Sequence, residues 1–485
     1  MSKTVTENNI PASGWDRFKA DFLRRCRENK PTRWVRFGCV SLVFLLFVIW
    51  LGNPWVLLVW PLLFDIYITG YIPFTFWKRS RNRAVRTVGS WVDAIIYALI
   101  LVYFIFAFVG QNYSIPSSSL EKTLLTGDYL VVNKMVYGPR VPQTPLHFPL
   151  ADNTMPLVGG KSYISSPQLD YHRLPGVRDI ERFDIVVFNA PCADTVPQLV
   201  PEPDYYHLVQ SLEEQGVRDA RAYIRDNKAQ FGELLVHPVD RRTAFVKRTI
   251  GLPGDRLKIV GDIVYINGKP LPEPEHVQHN YIVPVSSEIS SEQWEQLGVS
   301  KADQHQMQTA IEFPTPFYDV PLTNAMLKQI KELPQISGEI KRRTDLMMPY
   351  TDGIFPLWGN LGWSLDNLGE FWIPRQGSTL HLTLQNLPVY RRAIETYEGN
   401  TVEVKDGKIL INGEPTEYYT FKMDYYWMMG DNRDNSSDSR FWGFVPEDHI
   451  IGSPLLVLIS FDSDRPFPSN IRWNRILTTP NPDKR

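Results

Sequence analysis

The chain has 485 residues, 43% of them hydrophobic, with 51 Lys and Arg against 53 Asp and Glu and a formal net charge of −2. That length allows two or three domains, the apolar share excludes a mainly disordered protein, and without a basic excess there is no electrostatic footprint for nucleic acid. The three cysteines, Cys26, Cys39 and Cys192, fall in three different segments of the organisation read below, so no disulfide framework is expected.

Residues 1–34 form a polar arm rich in Arg and Lys, including Arg24, Arg25, Arg27 and Lys30. The apolar block that follows, 35–76, is too long for one crossing and is interrupted at Gly52-Asn53-Pro54. A helical hairpin near 35–52 and 54–76 is expected, either spanning or re-entrant, and too long to be a cleaved leader. Asp65 in its second arm requires a polar partner. A second basic cluster, KRSRNRAVR at 78–86, lies within the loop 77–90 and precedes an apolar run of nineteen residues, 91–109, holding one acid, Asp93. Such a run suits a transmembrane helix at 91–110. Positive loops stay in the cytoplasm, so three crossings would export everything from 111 to 485.

Beyond the membrane, short β-branched and alternating runs at 129–133, 184–188, 244–250, 257–260, 263–266, 379–384, 402–404, 409–411, 425–429 and 454–461 predict a mainly β domain. RLKIVGDIVYINGKPL at 256–271 parallels TVEVKDGKILINGEPT at 401–416, and each predicts a hairpin turning at Gly-Asp or Asp-Gly. Helical spacing over 207–231, a capping box at Ser290 and Gln293, and a cap at Thr323 place helices within α/β insertions at about 191–240 and 270–375.

Chemistry centres on PSSSLEKTLLTGD at 116–128. Ser119 is ten residues past Val109, so an extended tether keeps it within roughly 33 Å of the membrane. A serine needs a base, and none of the nine histidines offers a recognisable triad. Lys247 lies in TAFVKRTIGLPGD (243–255), where Phe245, Lys247 and Thr249 share one face of a strand. Apolar surroundings would depress its pKa and free its amine to accept a proton. The polar block MGDNRDNSSDSRFWGFVP at 429–446 follows the strand-like YYWMM.

That block is similar to the signature of bacterial type I signal peptidases, membrane-bound serine proteases that remove signal peptides from exported preproteins. SSSLEKTLLTGD (117–128), RFDIVVF (182–188) and FVKRTIGLPGD (245–255) match other boxes of that family in order. The resemblance implies a signal-peptidase-like, β-rich catalytic domain on the periplasmic side of the bacterial inner membrane, anchored by N-terminal transmembrane helices. It implies Ser119 as nucleophile, Lys247 as general base, and an oxyanion hole from the Ser119 N–H and the Ser117 hydroxyl. Ser436 would orient the lysine, with Asp438 and Arg440 a supporting charged pair. Preproteins and the lipid bilayer are the implied partners, and no metal or organic cofactor is implied.

The nucleophile box departs from the family's Ser-Met and Pro-Thr-Leu pattern, since Leu120, Glu121 and Lys122 intervene before Thr123-Leu124. This creates Ser119-x-x-Lys122, the spacing of penicillin-binding serine enzymes, but the chain has no Lys-Thr-Gly stretch and Gly127-Asp128 would end the helix such a motif needs. An inactive membrane-anchored binding module is the other alternative, opposed by the intact Ser119 and Lys247. GGKS at 159–162 lacks the earlier glycine of a phosphate loop, and His276 with His279 lacks a third metal ligand.

Overall fold

The computed structural model describes residues 14–148, 151–155, 160–310, 316–346, 350–359 and 361–480. Of the basic arm, residues 1–13 lie outside the described residues, as does Gly159 of the GGKS stretch. The chain divides into two compact units, Met1–Val102 and Tyr103–Arg485.

In the first unit, helix α1 (Gly14–Glu28) leads into α2 (Pro31–Leu51), which starts with Pro31 and ends at Gly52 in a left-handed conformation, φ 67°. Proline in the first turn and glycine just past the last are the expected punctuation. The chain then turns at Asn53 and returns through an apolar helical arm, Pro54–Thr69, that ends short of the expected Phe76. Asp65 ends up near the close of this arm, accepting hydrogen bonds from the Thr69 hydroxyl (2.6 Å) and the backbone N–H groups of Tyr71 (2.7 Å) and Ile72 (3.0 Å). These three donors are the partners its burial demands. Helix α3 (Arg83–Phe104) begins inside the second basic cluster. Among the described residues, Pro31–Leu51 and Arg83–Val109 are the helices long and apolar enough to cross a membrane.

The second unit is built on a seven-stranded antiparallel sheet. Its strands are β1 (Gly110–Ser114), β2 (Asp128–Asn133), β3 (Ile185–Asn189), β4 (Ala244–Gly251), β5 (Tyr425–Met429), β6 (Val445–Pro446) and β7 (Ile450–Ser460), in the order β1-β2-β7-β3-β4-β5-β6. β3 is buried along its whole length. Ile185 and Val187 join a core with Leu120, Leu124 and Leu130, while Val186 and Phe188 join another with Met428 and Trp442. The two-residue period of a strand thus sends alternate side chains into separate cores, which explains why residues 185–188 are apolar without interruption.

Both expected hairpins form, Arg256–Val260 with Ile263–Ile266 and Val402–Lys405 with Lys408–Ile411. The parallel extends to atoms: Asn267 and Asn412 have φ of 52° and 53°, and each accepts a backbone N–H, from Arg256 and Thr401, at 2.9 Å. Asparagine tolerates the left-handed region and bonds its own turn. The hairpins share one core that includes Ile259, Val264, Val402 and Ile409.

The first insertion carries three short helices, Tyr205–Glu214, Ala220–Asp226 and Lys228–Phe231, because Gly216 (φ 91°) and the capping Asp219 break the helical run. The second forms its own sheet, ordered Gln308–Ala310, Phe317–Thr323, Gln278–Pro284 and Lys341–Arg342, over a core with Val283, Trp294, Val320 and Ile330. The Ser290 capping box and the Thr323 cap are both present. Leu368–Trp372 leaves this sheet and pairs instead with Arg256–Val260.

Candidate active site

The nucleophile loop runs from the end of β1 to the start of β2. The Leu120 and Leu124 side chains are fully buried beneath it, each contributing about 2 kcal/mol of apolar burial. Its far end is tied by Arg475, which donates to Asp128 (2.6 and 3.1 Å) and to the Thr123 carbonyl (3.1 Å). Ser119 is buried, and its carbonyl accepts the Asn432 backbone N–H at 3.1 Å. Ser117 is exposed, two residues earlier.

Gly430 is the point on which the polar block closes. A methyl group there would sit 2.2 Å from the Ser436 hydroxyl oxygen and 2.6 Å from the Ser119 carbonyl, so only glycine permits the approach. Its N–H donates to Asp438 (3.1 Å), and Asp438 takes two further bonds from the Arg440 guanidinium, at 2.9 and 2.8 Å. Burial pushes the Asp438 carboxyl up, but the charge and hydrogen bonds of Arg440 more than offset this and hold it below the usual range. The Ser436 hydroxyl is buried without a hydrogen-bond partner.

Lys247 lies on β4 opposite Val186 of β3 and is 5% exposed. Burial lowers its pKa to about 8; Asp438 opposes that fall and Arg440 adds to it. The next residue, Arg248, faces the other way and grips Asp431 through two bonds of 2.7 Å, while Asp431 also accepts the Thr123 hydroxyl at 2.6 Å. Alternation along one strand therefore supplies a cation near neutrality at 247 and a permanently charged clamp on the nucleophile loop at 248. Ser119 and Ser436 meet at Gly430, and Lys247 feels the Asp438–Arg440 pair, whereas Ser117 is exposed and, among the described residues, no hydrogen bond joins its side chain to this group.

The structure brings in residues the sequence did not single out. Asp303, from the second insertion, is fully buried and accepts bonds from the Lys122 ammonium at 2.7 Å and the Gln278 amide at 3.0 Å. Gln306 donates to the Ser118 hydroxyl at 3.0 Å, and the Gln278 N–H donates to the Asp431 carbonyl at 2.9 Å. Lys122 itself has φ 72° in a turn, not a helix, so the Ser-x-x-Lys spacing does not form the helical face that penicillin-binding chemistry uses. His279 pairs with Glu273 at 3.0 Å, and among the described residues no group of three or more metal-ligating side chains occurs. The missed contacts leave one trace in the sequence, the unmatched charges of Lys122 and Asp303, too far apart to be paired on sight.

A family model described as "Signal peptidase, peptidase S26" matches residues 88–315 and 419–459, more than half of the chain and both halves of this constellation. The chain belongs to this family. It is similar to signal peptidase I of Haemophilus influenzae, 22% identical over 408 residues, covering 83% of this chain and 78% of that protein. With signal peptidase I of Helicobacter pylori the identity is 24% over 374 residues, covering 77% and 81%. A shorter match, 56% identical over 52 residues, links it to signal peptidase I of Buchnera aphidicola from Acyrthosiphon pisum, covering 10% of this chain and 17% of that protein. As a member of the signal peptidase family the chain is a serine endopeptidase, and its two long apolar helices supply a membrane anchor.

Proposed function

We propose that this signal peptidase removes signal peptides from exported preproteins with Ser119 as nucleophile and Lys247 as general base. The observation that carries the assignment is Lys247, a buried lysine whose pKa has fallen to about 8 beside the Gly430 junction where Ser119 and Ser436 meet. Its neutral amine takes the Ser119 proton as the hydroxyl oxygen attacks the scissile carbonyl. The Ser119 N–H and the Ser117 hydroxyl stabilise the tetrahedral oxyanion. The lysine ammonium then protonates the departing amine, and water, activated by the same lysine, releases the acyl group. Ser436, whose buried hydroxyl has no other partner, would orient the Lys247 amine, and the Asp438–Arg440 pair fixes the loop that carries Ser436.

The catalytic unit is assigned to the periplasmic side of the inner membrane, with the bilayer as its lipid partner. Support comes from the hairpin. Arg25, at the end of α1, donates to the Thr69 carbonyl at 2.8 Å, Asn29 donates to the Ile68 carbonyl, and Phe37 packs on Phe64 with ring centroids 5.3 Å apart. The return arm thus comes back to the level at which α2 began, which supports a reading with both basic clusters on one face, the cytoplasmic one by the rule for positive loops. Helix α3 then crosses once and exports the peptidase. A preprotein whose own apolar segment sits in the same bilayer is presented to Ser119 by confinement.

The test is cleavage of a signal-peptide-bearing substrate in detergent by the wild type, Ser119→Ala and Lys247→Ala. Both variants should be folded and inactive; wild-type turnover by Ser119→Ala would exclude the assignment.

A further inference from the structure

A cavity of about 270 Å³, far from the Gly430 junction in sequence, is lined by Tyr103, Phe106 and Tyr113, by the cations Lys134, Arg140 and Arg241, and by the carboxylates Asp152 and Asp240. That volume is well above the roughly 10–15 Å³ one water needs on the same measure, enough for a phosphate group with its substituent.

Three cations share the lining with two carboxylates, and the close hydrogen bonds of Lys134 and Arg140 go to neutral acceptors. Lys134 donates to two neutral acceptors, the Phe106 carbonyl and, at 3.1 Å, the Gln111 side-chain oxygen. Arg140 likewise donates to the Asp448 carbonyl and, at 2.6 Å, to the Asn189 side chain. Arg241 reaches the Asp240 carboxylate only at 3.5 Å, because Asp240 is engaged at 2.8 and 2.9 Å by the hydroxyl and N–H of Thr144. The Arg241 side chain is 11% exposed and its Nε has no hydrogen-bond partner. A buried donor without an acceptor is unfavourable, so the Arg241 Nε leaves an unfilled demand for an acceptor, and three cations against two carboxylates favour one that is negative. Burial, followed by the charges of Arg140 and Arg241, lowers the Lys134 pKa to about 7; a bound anion would reverse that fall.

Where the cavity lies selects the anion. Tyr103 and Phe106 belong to the last turns of the apolar helix Arg83–Val109, so the site sits at the level where that helix leaves the bilayer, a step that rests on reading it as a crossing segment. Phosphate esters are concentrated there as phospholipid headgroups, and apolar aromatic walls suit the glycerol and upper acyl region. We propose that this cavity binds a phosphate ester, in the membrane the headgroup phosphate of a phospholipid, through Lys134, Arg140 and Arg241. Strand β1 runs from the cavity towards the nucleophile loop, so a lipid held there would fix the height of Ser119 above the membrane.

The full-length protein in neutral detergent would be titrated with short-chain phosphatidylglycerol, and separately with inorganic phosphate, using native mass spectrometry. One phospholipid should bind per wild-type chain, and Lys134→Gln and Arg241→Gln should each weaken it about tenfold, the loss of one charge-assisted bond. Lys134→Arg, which keeps the charge, should retain binding, and circular dichroism checks that each variant is folded. Tighter binding of lipid than of inorganic phosphate supports the membrane source; equal binding supports the phosphate chemistry with a soluble source. Equal lipid retention by wild type and both glutamine variants, or no binding of either ligand to the folded wild type, would overturn the proposal.

Discussion

Lys247 gives the sharpest test, because one buried group sets both a pH profile and a stability. With a pKa of about 8, its neutral fraction is about 10% at pH 7 and about 1% at pH 6, so kcat/KM should fall about tenfold per unit below pH 8 and level off above about pH 9. The stability effect has the opposite use. Below about pH 8 folded and unfolded chains both hold the proton, and the folded state bears the full cost of a buried ammonium. That cost is about 3 kcal/mol, from the fall between the ordinary value of about 10.4 and 8. Between about pH 8 and 10.4 the unfolded state binds more proton, so stability rises with pH until the cost is gone. Lys247→Met should therefore be inactive at every pH yet more stable than the wild type by about 3 kcal/mol at pH 7, with the gain vanishing near pH 10.5. Initial cleavage rates from pH 5.5 to 9.5, with circular dichroism at each point and thermal unfolding of both proteins, read all of this. Glu121, buried and raised to about 7 by burial and then Asp303, is the competing titration, so Glu121→Gln should leave the limb near pH 8. A flat profile between pH 6 and 9, or a Lys247→Met protein less stable than the wild type at pH 7, would refute the reasoning.

Three further outcomes are expected. Lys122→Ala should cost about 3 kcal/mol of stability, since it leaves the buried Asp303 carboxylate without its cation, but turnover should stay within about tenfold of wild type; loss of turnover with stability intact would restore Lys122 as the base. Gly430→Ala should lower kcat at least about 100-fold, because the Ser119 carbonyl 2.6 Å from the new methyl must shift, and near-normal kcat would show that the junction is looser than described. Single cysteines at 78–86 should resist a membrane-impermeant thiol reagent added from the periplasmic side; ready labelling there would reverse the orientation.

Much of the fold was legible because burial writes a period into sequence. The strand-like runs at 244–250 and 184–188 marked β4 and β3, and the parallel stretches 256–271 and 401–416 marked twin hairpins. Lys247 stood out because a lysine among apolar neighbours is a chemical anomaly. The junction at Gly430 was visible only as one glycine in a polar block, since close approach depends on what a distant loop places there. Least legible was the second insertion's reach to the nucleophile loop. Lys122 and Asp303 are separated by 181 residues, and single complementary pairs at that distance carry no pattern. The return arm ended early, at Thr69, because Asp65 caps it with Tyr71 and Ile72, a stop that hydropathy does not register.

The second insertion has a hydrophobic core of its own, centred on Val283, Trp294 and Val320, separate from those of the main sheet. A unit with a private core can open cooperatively at a lower free energy than the whole domain. When it does, the nucleophile loop loses its rear braces at Lys122 and Ser118 while the sheet that carries Lys247 stays intact. The opening of the insertion and the loosening of the loop are then one event, read as amides of Gln278–Pro284 and Phe317–Thr323 that exchange together and before those of β3 and β4.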